Sequence, residues 1–355
     1  MPEQSIARAG QWFVRSGIQE PCGGVARYYR ADLAHNQALS TEITGYAVSA
    51  FVYLHSLSRD PAYLEAAQKA ARFLAAAWNP GARTLPFELD PPAFAYFFDS
   101  GIAVRGLLAA WRVTGEDEFL DVATALGESM AADFASGDGG WHAILSLPDK
   151  TPVPPDTSRW SASPGCYQLK AAMAWQDLSE AAGAPRFGEL YERAVERALR
   201  VSSGFLPGHA DPLKVVDRLH AFLYFLEGLL PRAAEGRCAA AIRDGIGRVA
   251  RIVRASSARF ERCDVYAQLL RIRIYADWNG VTPLDREAAQ CEAAKLAGFQ
   301  AHAQEPRIDG GFYFGRKDGM VMPFVNPVST AFALQALALW QQCGGSDRPH
   351  RHLLI

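Results

Sequence analysis

Glu42, Asp99, Asp217 and Asp264 stand at or near the starts of four strongly apolar helical stretches, and His220 lies three residues after Asp217. Tyr46, Tyr167, Tyr224 and Tyr266 accompany them. Arg105 follows Asp99 by nearly two turns, Lys170 follows Tyr167, and Asn326 and Ser329 head the last apolar stretch. The connecting segments add Tyr28, Trp141, His142, Trp160, Tyr313 and Arg316. Carboxylates, a histidine and tyrosines ringed by aromatic side chains are what a saccharide site requires. Sugar C–H faces pack on aromatic rings, and sugar hydroxyls need charged or amide partners. Cleaving a glycosidic bond needs a proton donor for the leaving oxygen and usually a second carboxylate.

Each of these residues also has a purely structural account. Glu42, Asp99, Asp217 and Asp264 are placed to cap free N–H groups and to stabilise a helix dipole. His220 on an apolar helix suits a hydrogen-bonded core histidine. Arg105 suits an ion pair with Asp99 or Glu42, since buried charges need partners. Trp141 and Tyr313 suit loop anchors. The functional account draws its weight from convergence, because several repeats bring polar residues to one level of one funnel.

That funnel follows from a repeat. Thr41–Trp78 reads as an apolar helix, an Arg-Asp-Pro turn and an amphipathic helix, and the stretch beginning at Phe98 repeats it. Gly45 matches Gly101 before the turns, and Tyr63-Leu64-Glu65 matches Phe119-Leu120-Asp121 after them. Asp60-Pro61 supplies an N-cap and a proline at the first helical position. Further hairpins start near Cys166, Asp217 and Cys263, and a last apolar helix runs from Asn326. A lone first helix, Gln4–Ser16, has no inner partner before it, and the last helix has no outer partner after it. Pairing the two closes six hairpins into an all-α (α/α)6 toroid spanning 1–355 as one domain; closure removes the exposed ends that an open solenoid would have to cap. Loops within hairpins are short and those between hairpins long, so the long loops and all inner-helix N-termini share one face, where a site belongs. The helix N-termini there favour an anionic group. Three Gly-Gly stretches, GGVARYY, GGWHAIL and GGFYFGR, predict tight turns into short β-ribbons over the funnel mouth.

Composition bounds the rest. A chain of 355 residues that is 49% hydrophobic can bury a large core. A formal charge of −2 and a pI near 6.5 give no electrostatic basis for a nucleic-acid partner. No apolar run suggests a membrane span, and the N-terminus carries no basic segment followed by an apolar run. These features, with six scattered cysteines lacking C-x-x-C spacing, predict a cytoplasmic protein with reduced, mostly buried thiols. The sequence shows no phosphate-cradling glycine loop, no His/Cys metal-ligand spacing, no calcium loop and no G-x-S-x-G elbow, so no cofactor or metal is expected. Oligomeric state is not encoded legibly.

The pattern Gly23-Gly24 to Tyr28, Thr41-Glu42-Ile43-Thr44-Gly45-Tyr46, Phe98-Asp99-Ser100-Gly101 and Arg105-Gly106-Leu107-Leu108, with His220…Glu227-Gly228 and Asp309-Gly310-Gly311-Phe312, resembles helical-toroid proteins of bacterial polysaccharide gene clusters. The resemblance spans nearly the whole chain and implies a glycan context. In fold the chain also resembles six-hairpin glycosidases, including unsaturated glucuronyl hydrolases, whose catalytic aspartate lies in an Asp-x-Gly-apolar start of the second inner helix. Asp99-Ser100-Gly101-Ile102 matches it. Phe98 replaces a histidine of those enzymes, and Tyr167 stands where they carry a second aspartate. Tyr167 with His220 suits proton abstraction next to a uronate, as in lyases and epimerases of this architecture. Terpene cyclases and prenyltransferases use related toroids, but their Asp-rich motif is missing here.

The expectation is a carbohydrate-active enzyme, hydrolase, lyase or epimerase, acting on a bacterial polysaccharide or uronic-acid oligosaccharide. The alternative is a non-catalytic glycan-binding or assembly protein with the same funnel. Asp99 and Glu42 are expected as the acid/base pair, supported by Asp264, Tyr167 and His220. Arg105 or Lys170 would hold a carboxylate. Tyr46, Trp141, His142, Asp217, Tyr313, Arg316 and Asn326 would complete the substrate contacts.

Overall fold

The computed structural model of the chain describes residues 2–156, 158–345 and 348–355; Thr157, in the long loop before the third hairpin, lies outside the described residues. Among these, twelve α-helices follow in order: α1 (Pro2–Arg15), α2 (Thr41–Ser58), α3 (Pro61–Ala77), α4 (Phe97–Thr114), α5 (Asp117–Ala132), α6 (Gln168–Ala181), α7 (Pro185–Val201), α8 (Pro212–Gly228), α9 (Gly236–Ser256), α10 (Cys263–Trp278), α11 (Arg286–Ala297) and α12 (Pro327–Gln342). The even-numbered helices are buried nearly all round, and their odd-numbered partners bury one stripe, which sorts them into an inner and an outer layer. Inner helices pack in the cyclic order α2, α4, α6, α8, α10, α12 and back to α2, and α1 packs on α12. The chain is therefore a closed (α/α)6 toroid, with the first helix completing the sixth hairpin.

Local chemistry sets the boundaries. The Asp60 side chain accepts from Ala62 N ahead of Pro61, and Asp211 accepts from Leu213 N ahead of Pro212. The second of these capping signatures starts α8 earlier than the hydrophobic pattern suggests. Asp217, expected at that helix start, sits in the second turn instead. Ser40 caps α2 and Asn326 caps α12. The inner ring is tight because glycines let backbones meet. A Cβ on Gly101 would stand 2.5 Å from the Ala171 carbonyl oxygen of α6, and one on Gly45 would stand 2.9 Å from Ile102 O of α4.

The Gly-Gly stretches do make turns into short strands. In each, the residue after the glycines bridges back across the turn, pairing Gln19 with Val25, Ala135 with Trp141 and Gln300 with Phe312. Gly23 and Gly310 have φ of 99° and 87° and press against the carbonyls of Lys69 on α3 and Arg8 on α1. No side chain fits there. The strands are β1 (Tyr29–Arg30), β2 (His35–Asn36), β3 (Phe94–Tyr96), β4 (Ile144–Ser146), β5 (Thr151–Pro152), β6 (Phe260–Arg262), β7 (Gly315–Lys317), β8 (Met320–Val321) and β9 (Phe324–Val325). They form three antiparallel sheets in the orders β2-β1-β9, β3-β4-β5 and β6-β7-β8. Strands β3 and β6 run straight into α4 and α10, and β9 leads through Asn326 into α12. The sheets thereby fix the positions at which those inner helices begin.

At the other end, residues 348–355 turn back from α12 into the ring. The Gln335 side-chain amide donates to Leu353 O at 2.7 Å and its carbonyl accepts from Ile355 N at 3.1 Å. Leu354 and Ile355 are buried. None of the helices among the described residues is long and apolar enough to cross a membrane. All six cysteines are free; Cys166, Cys238 and Cys263 are buried, Cys343 half-buried, Cys22 and Cys291 exposed.

Candidate active site

Glu42 on the first turn of α2 and Asp99 on the first turn of the adjacent α4 face one electrostatic environment. Burial raises Glu42 to about 7, with Arg27 only partly opposing it. Burial, then repulsion from Glu42, raises Asp99 well above the ordinary carboxylate range. Asp99 Oδ2 is buried without a hydrogen-bond partner. Two interacting carboxyls raised in this way keep at least one proton at neutral pH. Neither is a helix cap: Ser40 fills that role for α2, and Tyr96, the residue before α4, makes no side-chain cap.

Aromatic side chains close around the pair. Tyr224 stacks obliquely on Phe98, with ring centroids 4.7 Å apart. Its hydroxyl faces that of Tyr46, which completes no hydrogen bond, and the Tyr46 ring meets Phe332 of α12 edge-on at 5.3 Å. His220, one turn before Tyr224 on α8, lies 4.3 Å from it between ring centroids. Its Nδ1 is 2.7 Å from Gln268 Oε1 and 3.4 Å from Asp264 Oδ2, two acceptors that place the ring proton on Nδ1 and leave a lone pair on Nε2. Burial lowers the imidazole pKa to about 4, so it is neutral at ordinary pH.

Asp264 is held from the other side. Arg262 donates to both its oxygens, at 2.9 and 2.5 Å, and its third nitrogen reaches Asp217 at 2.8 Å. Burial alone would raise Asp264, but Arg262 and His220 together leave its pKa lowered. The aspartate is thus a fixed anion that orients His220 rather than a proton donor. One face of α8 carries Lys214, Asp217, His220, Tyr224 and Glu227 at three- and four-residue spacing. Of these, Asp217, His220 and Tyr224 lie at the level of the site, with Lys214 at a rim cavity and Glu227 in the buried layer.

Several expected contacts lie elsewhere. Arg105 donates to Asp177 at 3.0 Å and to Leu354 O at 2.8 Å; Lys170 pairs with Glu227 at 3.1 Å and donates to Ile355 O at 2.8 Å. Arg271 joins the same buried layer through Glu227 and Ile355 O. Neither Arg105 nor Lys170 pairs with Glu42 or Asp99. The returning C-terminal segment engages both, Arg105 through Leu354 O and Lys170 through Ile355 O. Trp141 stacks with Phe97 and Trp175, at 5.9 and 4.8 Å, in the layer beneath α7. The structure supports the loop-anchor account for it.

Tyr167 donates its hydroxyl to Ser163 O at 3.0 Å, tying down the loop before α6, while its ring lies against Phe98 and Trp160. Its ring belongs to the site; its proton is committed. Arg316 lies over the Phe299 ring and donates to Gly298 O, toward α11. Asn326 accepts from Ser329 N as the α12 cap. Tyr313, half-buried, bridges to Val325 through its backbone. His142 is half-buried behind Trp141, with its backbone carbonyl accepting from the Gln168 amide at 3.4 Å. The structure thus brings together Glu42, Tyr46, Asp99, the Tyr167 ring, His220 and Asp264, with Asp217 at the edge.

Arg262, Gln268, Phe332 and Arg27 were not foreseen. Gln268 follows Asp264 by one helical turn, a spacing that could have flagged it. Arg262 ends a strand too short to carry a pattern. No group of three or more His, Cys, Asp or Glu side chains suited to a metal ion occurs among the described residues.

The architecture is a six-hairpin (α/α)6 toroid, a fold shared with solved carbohydrate-processing enzymes. Solved structures with this fold include cellobiose 2-epimerase from Spirochaeta thermophila DSM 6192, at TM-score 0.67 and 16% identity over 91% of this chain and 92% of that one. D-mannose isomerase matches at TM-score 0.69 and 9% identity, covering 96% and 97% of the two chains. The GH76A α-1,6-mannanase from Salegentibacter sp. HEL1_6 matches at 0.64 and 11%, covering 97% and 100%. At such identities the likeness is one of fold. Neither a scan against protein-family models nor a search of curated proteins finds a match.

Proposed function

We propose that this chain is a carbohydrate-active enzyme working by acid–base proton transfer, with the Glu42–Asp99 pair as proton donor and acceptor. The observation that carries this reading is the pair itself: two neighbouring carboxyls, both raised by burial, one with an oxygen that satisfies no partner. Carboxyls held protonated near neutral pH inside a funnel are what acid–base chemistry uses. His220 adds a neutral base with its Nε2 free, oriented by Gln268 and Asp264. Tyr46, Tyr224 and the Tyr167 and Trp160 rings supply the polar-tipped aromatic walls that a sugar needs. Similarity in fold to epimerases, an isomerase and a mannanase is consistent with a saccharide substrate.

A raised acid and a neutral imidazole on the walls of one funnel fit abstraction and return of a proton at a sugar carbon, as in epimerisation, isomerisation or elimination. Hydrolysis is the second reading, favoured by the carboxylate pair. Proton NMR in deuterium oxide separates them on a panel of neutral and uronate-containing oligosaccharides. Deuterium entering a ring carbon, with a new epimer, ketose or unsaturated product, supports the first; new reducing ends without carbon exchange support the second. Asp99→Asn is expected to abolish either reaction while leaving saccharide affinity within a few-fold. Saccharide binding with no conversion by the unmodified chain would favour the glycan-binding alternative instead.

A further inference from the structure

Beside the funnel, at the outer end of α8, a cavity of about 420 Å³ opens between the segment 158–161, the loop before α8 and the end of β6. Its volume falls within the roughly 300–1,000 Å³ typical of ligand pockets. Arg159, Lys214, Arg218 and Arg262 line it against a single carboxylate, Asp217. Asp217 is already paired with Arg262 at 2.8 Å, and Arg262 also holds Asp264. Arg218 donates to the neutral Phe205 carbonyl at 2.9 Å, over whose ring it lies at 4.3 Å. Arg159 is 76% exposed and pairs with Asp156 at a long 3.6 Å. Lys214 makes no ion pair among the described residues. Lys214 and Arg218 therefore bring to the cavity positive charge that no carboxylate among the described residues pairs with, and the Arg159 pair is a loose, solvent-screened one.

Trp160 forms its inner wall. The indole meets Tyr167 edge-on at 5.0 Å and His220 at 6.2 Å, so one ring borders both cavity and funnel. A sugar against this tryptophan would direct one substituent toward the cations and its ring toward His220. We infer that this cavity is the subsite for an anionic substituent of the saccharide, a carboxylate or an ester sulfate, with Arg159 and Lys214 as its principal donors. The inference rests on the saccharide reading and deepens it. It also moves the carboxylate-holding role from Arg105 and Lys170, which serve the buried layer, to the rim.

The test is isothermal titration of the full chain with tetragalacturonate, its fully methyl-esterified form and a chondroitin sulfate tetrasaccharide, at low and high salt. The acid form is expected to bind roughly tenfold more tightly than the ester, the scale of two solvent-exposed ion pairs. That advantage should shrink with salt and disappear in the double variant Arg159→Gln, Lys214→Gln, with ester affinity unchanged. Arg159→Gln alone, at an exposed side chain, is the control against misfolding, and the sulfated ligand shows which oxyanion is preferred. Equal binding of acid and ester, or a preference that survives the double variant, overturns the anion subsite and leaves the saccharide reading standing. Binding of inorganic sulfate or pyrophosphate, abolished by the double variant while no saccharide binds, keeps the anion site and contradicts the saccharide reading. Failure of every anionic probe overturns the inference.

Discussion

His220 Nδ1 and Gln268 Oε1 stand 2.7 Å apart across the α8–α10 interface, with both side chains buried. This contact, with Asp264 Oδ2 at 3.4 Å, decides which imidazole nitrogen carries the proton. It fixes a neutral imidazole with its Nε2 lone pair available. Gln268→Glu places a carboxylate at the same spot and favours the imidazolium, so the His220 pKa should rise from about 4. The acid limb of the pH–rate profile should move to higher pH with it. An unmoved profile would show that His220 does not act as a base.

His220→Gln keeps a polar side chain in the space while removing the base. Loss of a general base typically costs about 10²–10⁴-fold in kcat. KM should change little, and steady-state kinetics on any substrate found would separate the two. A pure KM effect would make His220 a binding residue.

Glu42 links stability to pH in a direction that can be worked out. Its folded pKa of about 7 lies above the ordinary glutamate value of 4.5. The folded state thus keeps a proton that the unfolded chain releases, and stability is lost as pH rises through 7. Glu42→Gln removes that loss. Its Tm should exceed that of the parent chain by about 2 °C or more at pH 8, with a smaller difference at pH 4.5. Calorimetry at the two pH values checks the sign, and an equal effect at both would contradict the raised pKa.

The buried layer should behave differently. Glu227, fully shielded, neutralises Lys170 at 3.1 Å and also pairs with Arg271. Burial alone would raise Glu227, but Arg271 and Lys170 hold its pKa down. Glu227→Gln would leave two buried cations without their anion, at a cost of roughly 3–5 kcal/mol. Denaturant unfolding should show this loss, while saccharide affinity of the remaining folded protein stays near that of the parent.

Gly101 offers a backbone test. Alanine there would put Cβ 2.5 Å from Ala171 O and push α4 away from α6. Overpacking of this kind costs about 1–3 kcal/mol, and because Asp99 lies half a turn away, activity should fall with stability.

Much of the ring was legible because the signals are local and repeated. Apolar helices alternate with amphipathic ones, Asp60-Pro61 marks a start, and the glycine pairs mark turns. The α8 start was misplaced because its cap, Asp211-Pro212, sits ahead of the apolar run. Within the site, Glu42, Asp99, His220 and Asp264 could be picked out because each stands near the head of an inner helix. Arg105 and Lys170 looked equivalent, but depth along a helix does not reveal what lies below, and the returning segment 348–355 engages them. Trp141 shares its Gly-Gly motif with Val25 and Phe312, and nothing in one sequence says that its ring turns toward α7.

The central claim is that the interacting carboxyls Glu42 and Asp99 keep at least one proton at neutral pH, and it can be tested before any substrate is known. Carbon-13 carboxyl NMR across a pH titration, with Asp99→Asn and Glu42→Gln for assignment, reads it directly. One carboxyl of the pair should remain protonated to about pH 7, with the partner's ionisation shifting when the first is replaced. Both groups titrating independently near their ordinary values would contradict the account.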